Sequence, residues 1–450
     1  MNYEECLSYL RDLGHELRGV LFRLEATTAI LARLGDPHRQ YPTAIVAGTN
    51  GKGSTSAMLA SIFGAAGYRT GLYTSPQLVR VNERILVGGG EISDEDFASV
   101  FSEVRRAVDS LLAAGVLESR PSFFEFLTAA AFLHFARARV NFAVLEVGMG
   151  GRLDATNVTD PRVAVITNVD LDHQEFLGNT RAAIAREKAG VIKSGRPVVV
   201  GRMEAEGLDV IRQQCAELGS PLIETASLGR VHNLRTHQGR YEFDFALDGE
   251  FFPGLTSPLL GRFQVENAAT AITAAWELRR QGYAIGQSAI LEGLRHATWP
   301  GRLEIAAERP LVLLDGAHNP AGAREIGAFV REHLAPRILR LVYASMRDKA
   351  IDEISGILFP LAAEIYLTQP NQSRAATPEE ILTAAQVDPA ARVFSEADPA
   401  KALQRAINAS SPEDVVLAVG SLFLVGEIKR ALRNGELSLR GQREQAAPRV

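Results

Sequence analysis

At 450 residues the chain exceeds what one ordinary hydrophobic core holds, and at ~150 residues per domain two or three domains are expected. Hydrophobic residues at 46% and charged residues at 22% exclude a disordered, collagenous or coiled-coil chain and predict a soluble globular one. The net charge of -5 offers no broad basic field, so nucleic acid is not an expected partner.

The N-terminal MNYEECLSYLRDLGHEL is acidic and amphipathic and lacks the charged and apolar regions of an export signal. Cys6 and Cys215 could form one bridge at most and show no metal-ligand spacing, which fits a reducing cytoplasm. The apolar runs FLTAAAFLHFA and VVLAVGSLFLVG fall short of the ~20 residues a spanning helix needs, so they read as core and no membrane association is expected.

After two helical segments, TAIVA is a β-rich run that ends in the loop GTNGKGS, and STSAMLASIFGAAG follows with helical periodicity. SFFEFLTAAAFLHFARA opens with Ser122 and Glu125 in capping-box spacing, and FAVLEVG and RVAVITNVD are continuous apolar runs of the kind buried parallel strands show. From 221 to 256 the alternating HNLRTHQGRYEFDFALDG predicts a hairpin insertion, and VENAATAITAAWELRRQG predicts a helix. Trp299-Pro300-Gly301 marks a linker. Beyond it, RPLVLLDGAHN, LRLVYASM, AEIYLTQ, ARVFSE and DVVLAVGSL alternate with helical segments, one of them starting at Thr377-Pro378-Glu379-Glu380. The expected layout is an α/β domain over 1–297, a smaller α/β domain over 298–435, and a mobile tail over 436–450.

A strand feeding a glycine-rich turn into a helix presents backbone N–H groups and the positive end of the helix dipole to an anion, and phosphate suits that geometry. In GTNGKGS, Lys52 would reach the outer phosphates, while the Ser54 or Thr55 hydroxyl would face a phosphate or its Mg²⁺. The spacing is shorter than G-x-x-x-x-G-K-[ST], and Gly53 separates the lysine from the serine, which leaves a tight structural turn as the competing reading. A dinucleotide fingerprint at Gly148-Met-Gly-Gly-Arg-Leu-Asp154 fails because position 153 is leucine.

Taken together, GTNGKGS, YTSPQLVRVNERI, LEVGMGGRLDATN, LDHQEFLG, REKAGVI, GRFQVENAATA, PGRLE and DGAHNPAG, lying in order between residues 40 and 345, resemble the motif set of the folylpolyglutamate synthase and dihydrofolate synthase family within the Mur-ligase superfamily. The resemblance implies a P-loop-type central ATPase domain that also binds folate, followed by a Rossmann-like glutamate-ligase domain. It also implies an ATP-dependent ligase: the γ-phosphoryl passes to a substrate carboxylate, and L-glutamate attacks the resulting acyl phosphate. Phosphorylation is chemically required because a carboxylate is a poor electrophile at neutral pH.

Carried over residue by residue, the resemblance places ATP on Thr49, Asn50, Gly51, Lys52, Gly53 and Ser54, and also on Asn267, Arg302, Asp315 and His318, in a cleft between the domains. It assigns two Mg²⁺ ions to Ser75, Glu146 and His173, makes Lys52, Glu146, His173 and Lys188 catalytic, and implies that Lys188 is carbamylated by CO₂. A pterin is expected near Phe123, Phe124, Arg152, Leu153, Asp154 and Ala155, and Gln77 departs from the family's usual histidine. From the residues alone, Lys188 reads as a surface lysine on a charged helix face, Asp315 as a helix cap, Arg302 as a surface charge, and Phe123 and Phe124 as core. A bifunctional dihydrofolate synthase and folylpolyglutamate synthase, monomeric, is the leading expectation. The alternatives are a polyglutamate synthase alone, a cell-wall Mur ligase, for which little chain precedes the loop, and a nucleotide-gated switch with no ligation product.

Overall fold

The computed structural model describes residues 1–13, 24–385, 387–388 and 390–439. Part of the N-terminal amphipathic stretch and most of the expected tail, from 440 on, therefore lie outside the described residues. The chain divides into two units: Met1–Arg235 with Glu242–Pro258 and Gln264–Thr298 form the first, and Trp299 onward with Thr236–Tyr241 and Leu259–Phe263 form the second.

The first unit is built on an eight-stranded sheet. Its strands are β1 (Thr43–Ala47), β2 (Thr70–Tyr73), β3 (Ile85–Val87), β4 (Gly90–Glu91), β5 (Phe142–Glu146), β6 (Val163–Ile166), β7 (Val198–Val200) and β8 (Leu222–Glu224), in the order β4-β3-β2-β5-β1-β6-β7-β8. From β2 to β8 the neighbours are parallel, while β3 and β4 turn back antiparallel at one edge. TAIVA and FAVLE are buried at every position, as strands covered on both faces must be. Val46 stands in register with Glu146, so the loops leaving β1, β5 and β6 emerge side by side at the carboxyl ends of the central strands. That is where an open α/β sheet offers a crevice.

One apolar core packs Phe97, Phe101, Phe126 and Phe132 against Tyr73 and Leu145. Another joins Ile45, Ile166 and Val198 to Ile184 and Ile211. Helix Phe123–Arg137 starts with the expected reciprocal cap: the Glu125 amide donates to the Ser122 hydroxyl, and the Ser122 amide to the Glu125 carboxylate.

The insertion is a three-stranded antiparallel sheet, β9 (Gly229–His237), β10 (Arg240–Leu247) and β11 (Glu250–Thr256), rather than the expected hairpin. Two two-residue turns, Gln238-Gly239 and Asp248-Gly249, carry positive φ at both positions, the geometry that matches strand twist. The Asp-Gly pair is thus a second reversal, and it adds the strand that the alternation alone did not reveal.

In the second unit β12 (Glu304–Glu308), β13 (Leu311–Leu314), β14 (Leu339–Tyr343), β15 (Glu364–Leu367), β16 (Arg392–Ser395) and β17 (Val415–Val419) form a six-stranded sheet in the order β12-β13-β17-β14-β15-β16. It is parallel apart from β12. Its core includes Leu260, Phe329, Leu341 and Leu417. Helix Pro378–Ala384 begins at Thr377 with a capping box and proline at its first position. Among the described residues no helix is long and apolar enough to cross a membrane.

Candidate active site

The loop after β1 is fastened to the segment after β6. The Thr49 amide donates to the Asn168 carbonyl (3.0 Å), the Asn50 amide to Asn168 Oδ1 (2.9 Å), and the Thr167 hydroxyl to the Asn50 carbonyl (2.6 Å). The Thr49 hydroxyl donates to the Asp170 carbonyl (3.1 Å) and receives the Asp170 amide (3.0 Å). Two glycines are required by contact as well as by conformation. A Cβ on Gly48 (φ 151) would lie 1.9 Å from Thr167 Oγ1, and one on Gly51 (φ 79) would lie 2.3 Å from Asn267 Oδ1. Helix Lys52–Ala65 starts directly after Gly51, so its first-turn amides, which have no intrahelical acceptor, open at this loop.

Asn267 stands against Gly51 and donates to Gln264 Oε1 (2.9 Å), while Gln264 Nε2 reaches the Ser54 hydroxyl (3.3 Å). Thr49, Asn50, Gly51, Lys52, Gly53, Ser54 and Asn267 are thus brought together within the first unit.

Two lysines share one acceptor. Lys52 Nζ donates to the Gly48 carbonyl (3.0 Å) and the Thr49 carbonyl (3.2 Å), and Lys188 Nζ donates to the same Gly48 carbonyl (2.8 Å). Lys188, on helix Arg181–Ala189, is 3% exposed, which corrects its reading as a surface lysine. Burial, with the Lys52 charge added, lowers its pKa to about 7 against the pull of Asp172. A low-dielectric site disfavours a second ammonium group beside Lys52, so Lys188 holds its proton less firmly than an ordinary lysine.

Glu146 ends β5, is buried, and receives the Ser75 amide on Oε2 (3.1 Å). Ser75 and Glu146 therefore meet. A buried carboxylate beside a serine is a hard-oxygen set, which suits Mg²⁺, an ion that takes few protein ligands and keeps water or phosphate for the rest. Among the described residues no group of three or more His, Cys, Asp or Glu side chains is clustered for a metal. His173 begins the short helix Gln174–Leu177 at φ 50, and its Nε2 lies 4.0 Å from Asp172 Oδ2.

Of the residues expected around a pterin, Phe124 lies next to Tyr73 and Phe123 next to Arg84. Phe124 tilts against the Tyr73 ring (5.9 Å between centroids), and the buried Arg84 guanidinium lies 5.2 Å from the Phe123 ring centroid. Both phenylalanines are half-buried, so neither is the full core residue its pattern suggests. Arg84 Nε also donates to Gln77 Oε1, which gives the glutamine a charged partner. The Asp154 carboxylate accepts from the amides of Gly148, Met149 and Thr156 and from the Thr156 hydroxyl, so its charge organises the loop it ends. Burial raises its pKa, and those donors oppose the rise. Arg152 is exposed and paired with Glu187, Leu153 is half-buried, and Ala155 is buried.

In the second unit Asp315 is 2% exposed and accepts the Leu303 amide (2.7 Å) and the Ala317 amide (2.7 Å). It does not cap the following helix; Asn319 does, receiving the Gly322 amide. Burial raises the Asp315 pKa, and the nearby Arg302 charge opposes this. Arg302 is half-buried, its Nη1 donating to the Gly301 carbonyl (3.0 Å), and His318 Nδ1 donates to the Gly316 carbonyl (2.8 Å). Arg302, Asp315 and His318 are therefore gathered around one turn.

Residues 46–275 match the Mur ligase middle domain and 301–422 the Mur ligase glutamate ligase domain. The dihydrofolate synthase/folylpolyglutamate synthase of Bacillus subtilis is 34% identical over 433 residues, covering 96% of this chain and 99% of the relative. The chain belongs to the dihydrofolate synthase/folylpolyglutamate synthase family. The structure of Escherichia coli FolC in complex with DHPP and ADP is similar at TM-score 0.84 and 32% identity, covering 97% of this chain and 99% of that one. Mycobacterium tuberculosis folylpolyglutamate synthase complexed with ADP and AMPPCP aligns at TM-score 0.88 and 30% identity, covering 96% and 99%.

In this dihydrofolate synthase/folylpolyglutamate synthase family member, Thr167, Asn168, Asp170 and Gln264 also build the site, beyond the residues expected from the sequence. The signal for the first three was present, since a run of Thr, Asn and Asp directly follows a buried strand in VAVITNVD. Gln264 sits inside GRFQVENAATA, and only its fold-back onto Ser54 distinguishes it from its neighbours.

Proposed function

We infer that this chain is an ATP-dependent ligase that joins L-glutamate to dihydropteroate, to reduced folates, or to both. A substrate carboxylate oxygen attacks the γ-phosphorus and ADP leaves. The glutamate amine then attacks the acyl carbon, loses a proton, and phosphate departs. The observation that carries this reading is the juxtaposition, at the carboxyl ends of β1 and β5, of a helix-opening glycine loop bearing Lys52 with the buried carboxylate Glu146. Thr49 to Ser54 and Asn267 bind the nucleotide, and Lys52 exchanges its loop carbonyls for phosphate oxygens. Arg302, Asp315 and His318 are read as further nucleotide-binding residues. Phe123, Phe124, Arg152, Leu153, Asp154 and Ala155 line the pterin side, where Arg84 backs Phe123.

Ser75, Glu146 and His173 would hold Mg²⁺, probed as two ions, which supplies charge neutralisation on the phosphates when bound. Lys188 is a site for carbamylation: a buried amine with pKa about 7 is half neutral at that pH, and only the neutral amine adds CO₂. Labelled bicarbonate with carbon-13 NMR tests this; absence of a carbamate signal that depends on Lys188 removes it. The protein is read as cytoplasmic and monomeric, the latter tested by sedimentation.

The deciding experiment supplies ATP, Mg²⁺ and L-glutamate with dihydropteroate or a reduced folate and weighs the products. A gain of one glutamyl unit on either acceptor is expected. ATP turnover that ignores both acceptors and glutamate would instead favour a nucleotide switch.

A further inference from the structure

We propose that Arg181 is a positioning residue for ATP, acting through Asp170 on the loop at Gly48 and Thr49. This rests on reading that loop as the nucleotide site. Three donors converge on Asp170 Oδ1: Arg181 Nε (3.2 Å), Arg181 Nη2 (2.8 Å) and the Leu171 amide (2.9 Å). The backbone of Asp170 in turn grips the Thr49 hydroxyl from both sides, by its amide at 3.0 Å and its carbonyl at 3.1 Å. Arg181 is the first residue of the helix that carries Lys188, and Lys188 Nζ holds the adjoining Gly48 carbonyl at 2.8 Å. One helix thus holds Gly48 directly and Thr49 by way of Asp170, from positions about 10 Å apart along its axis, at ~1.5 Å per residue.

The start of that helix is itself fixed. Thr180 caps the Ala183 amide (3.1 Å), and Glu206 receives the Ala182 amide (3.1 Å). The competing view is an ordinary ion pair, because the Arg181 and Asp170 side chains are 34% and 22% exposed and such pairs contribute little. An ordinary pair would not place the backbone of its acidic member on the hydroxyl of the nucleotide loop.

The test uses the purified full-length chain. Thermal stabilisation of the wild type by Mg-ADP checks the nucleotide reading by itself, and its absence sinks that reading regardless of Arg181. Given stabilisation, Arg181→Met is expected to raise the KM for ATP about fivefold, equivalent to ~1 kcal/mol. The KM values for the folate acceptor and glutamate, and kcat, stay within about twofold in this variant, below the ~1 kcal/mol scale of one such pair. Arg181→Lys restores part of the loss, because a point charge replaces a planar fork. Asp170→Asn matches Arg181→Met, and the double variant is no worse than either single one. Equal changes in all three KM values, a fall in melting temperature with an unchanged KM for ATP, or additive losses in the double variant would each overturn the proposal.

Discussion

At Lys188 the chain spends folding stability to keep an amine poised near neutrality. The sign follows from the direction of the shift. The folded pKa is about 7 and the ordinary value 10.5, so between these two pH values the unfolded chain holds a proton that the folded chain has released. Stability contributed by this residue therefore rises with pH across that window, and the cost is fully present below it. Lys188→Met should flatten the rise, a difference on the order of a few kcal/mol between pH 7 and 10 in urea titrations; parallel profiles would contradict the buried-amine assignment. The glycines give a second contrast. Gly51→Ala forces a side chain at φ 79 into Asn267 and should cost ATP binding at least about tenfold, whereas Gly67→Ala, at φ 85 with open space around it, should cost only the ~1 kcal/mol of the left-handed conformation and spare activity. Comparing the two KM values for ATP checks this. The crowding at Gly48 and Gly51 could not be read from the loop's own letters, because it depends on Thr167 and Asn267, which are far away along the chain. For the same reason neighbouring letters make Lys188 look exposed: Arg186 and Glu187 are charged, but their helix turns Lys188 inward.

Helix Phe123–Arg137 was legible from its first letters because a capping box is a local device, complete within four residues. Ser122→Ala removes one half of it and should lower unfolding free energy by ~1 kcal/mol in denaturant titrations. Because Phe123 and Phe124 form the freed turn, the KM for the folate acceptor should rise more than that for ATP; an equal rise would separate the cap from the pterin side. Strands β1, β5, β6 and β17 were equally legible, since a run buried on both faces is apolar throughout. Strand β9 was harder to read for the opposite reason. It is exposed at every residue after Gly229, so neither face imposes a pattern, and only the turns that follow reveal the sheet.

The division of the molecule was legible only in part. A proline-glycine break near 299 marks where the second sheet begins, but nothing local shows that 236–241 and 259–263 cluster with it. In that unit Tyr241 donates its hydroxyl to Glu332 (3.2 Å) and meets His333 Nε2 at 2.8 Å. The Cα of Gly239 packs so closely on Phe329 that a Cβ would lie 2.5 Å from its ring, and Leu260 is buried in the core. A fragment of residues 299–439 lacks all three and should unfold with a lower denaturant midpoint than the same unit in the whole chain; equal midpoints would show that these segments add nothing. The order of the eight-stranded sheet was likewise beyond periodicity, which identifies strands without saying which are neighbours. Yet that order is what brings Lys188 within reach of the Gly48 carbonyl, which Lys52, four residues along the chain, also holds. A free lysine side chain holds ~2 kcal/mol of rotamer entropy, which has to be lost before it can grip anything. With its ammonium already held against the loop, Lys52 gives up that freedom when the chain folds, so an arriving phosphate exchanges one acceptor for another instead of ordering a floating cation.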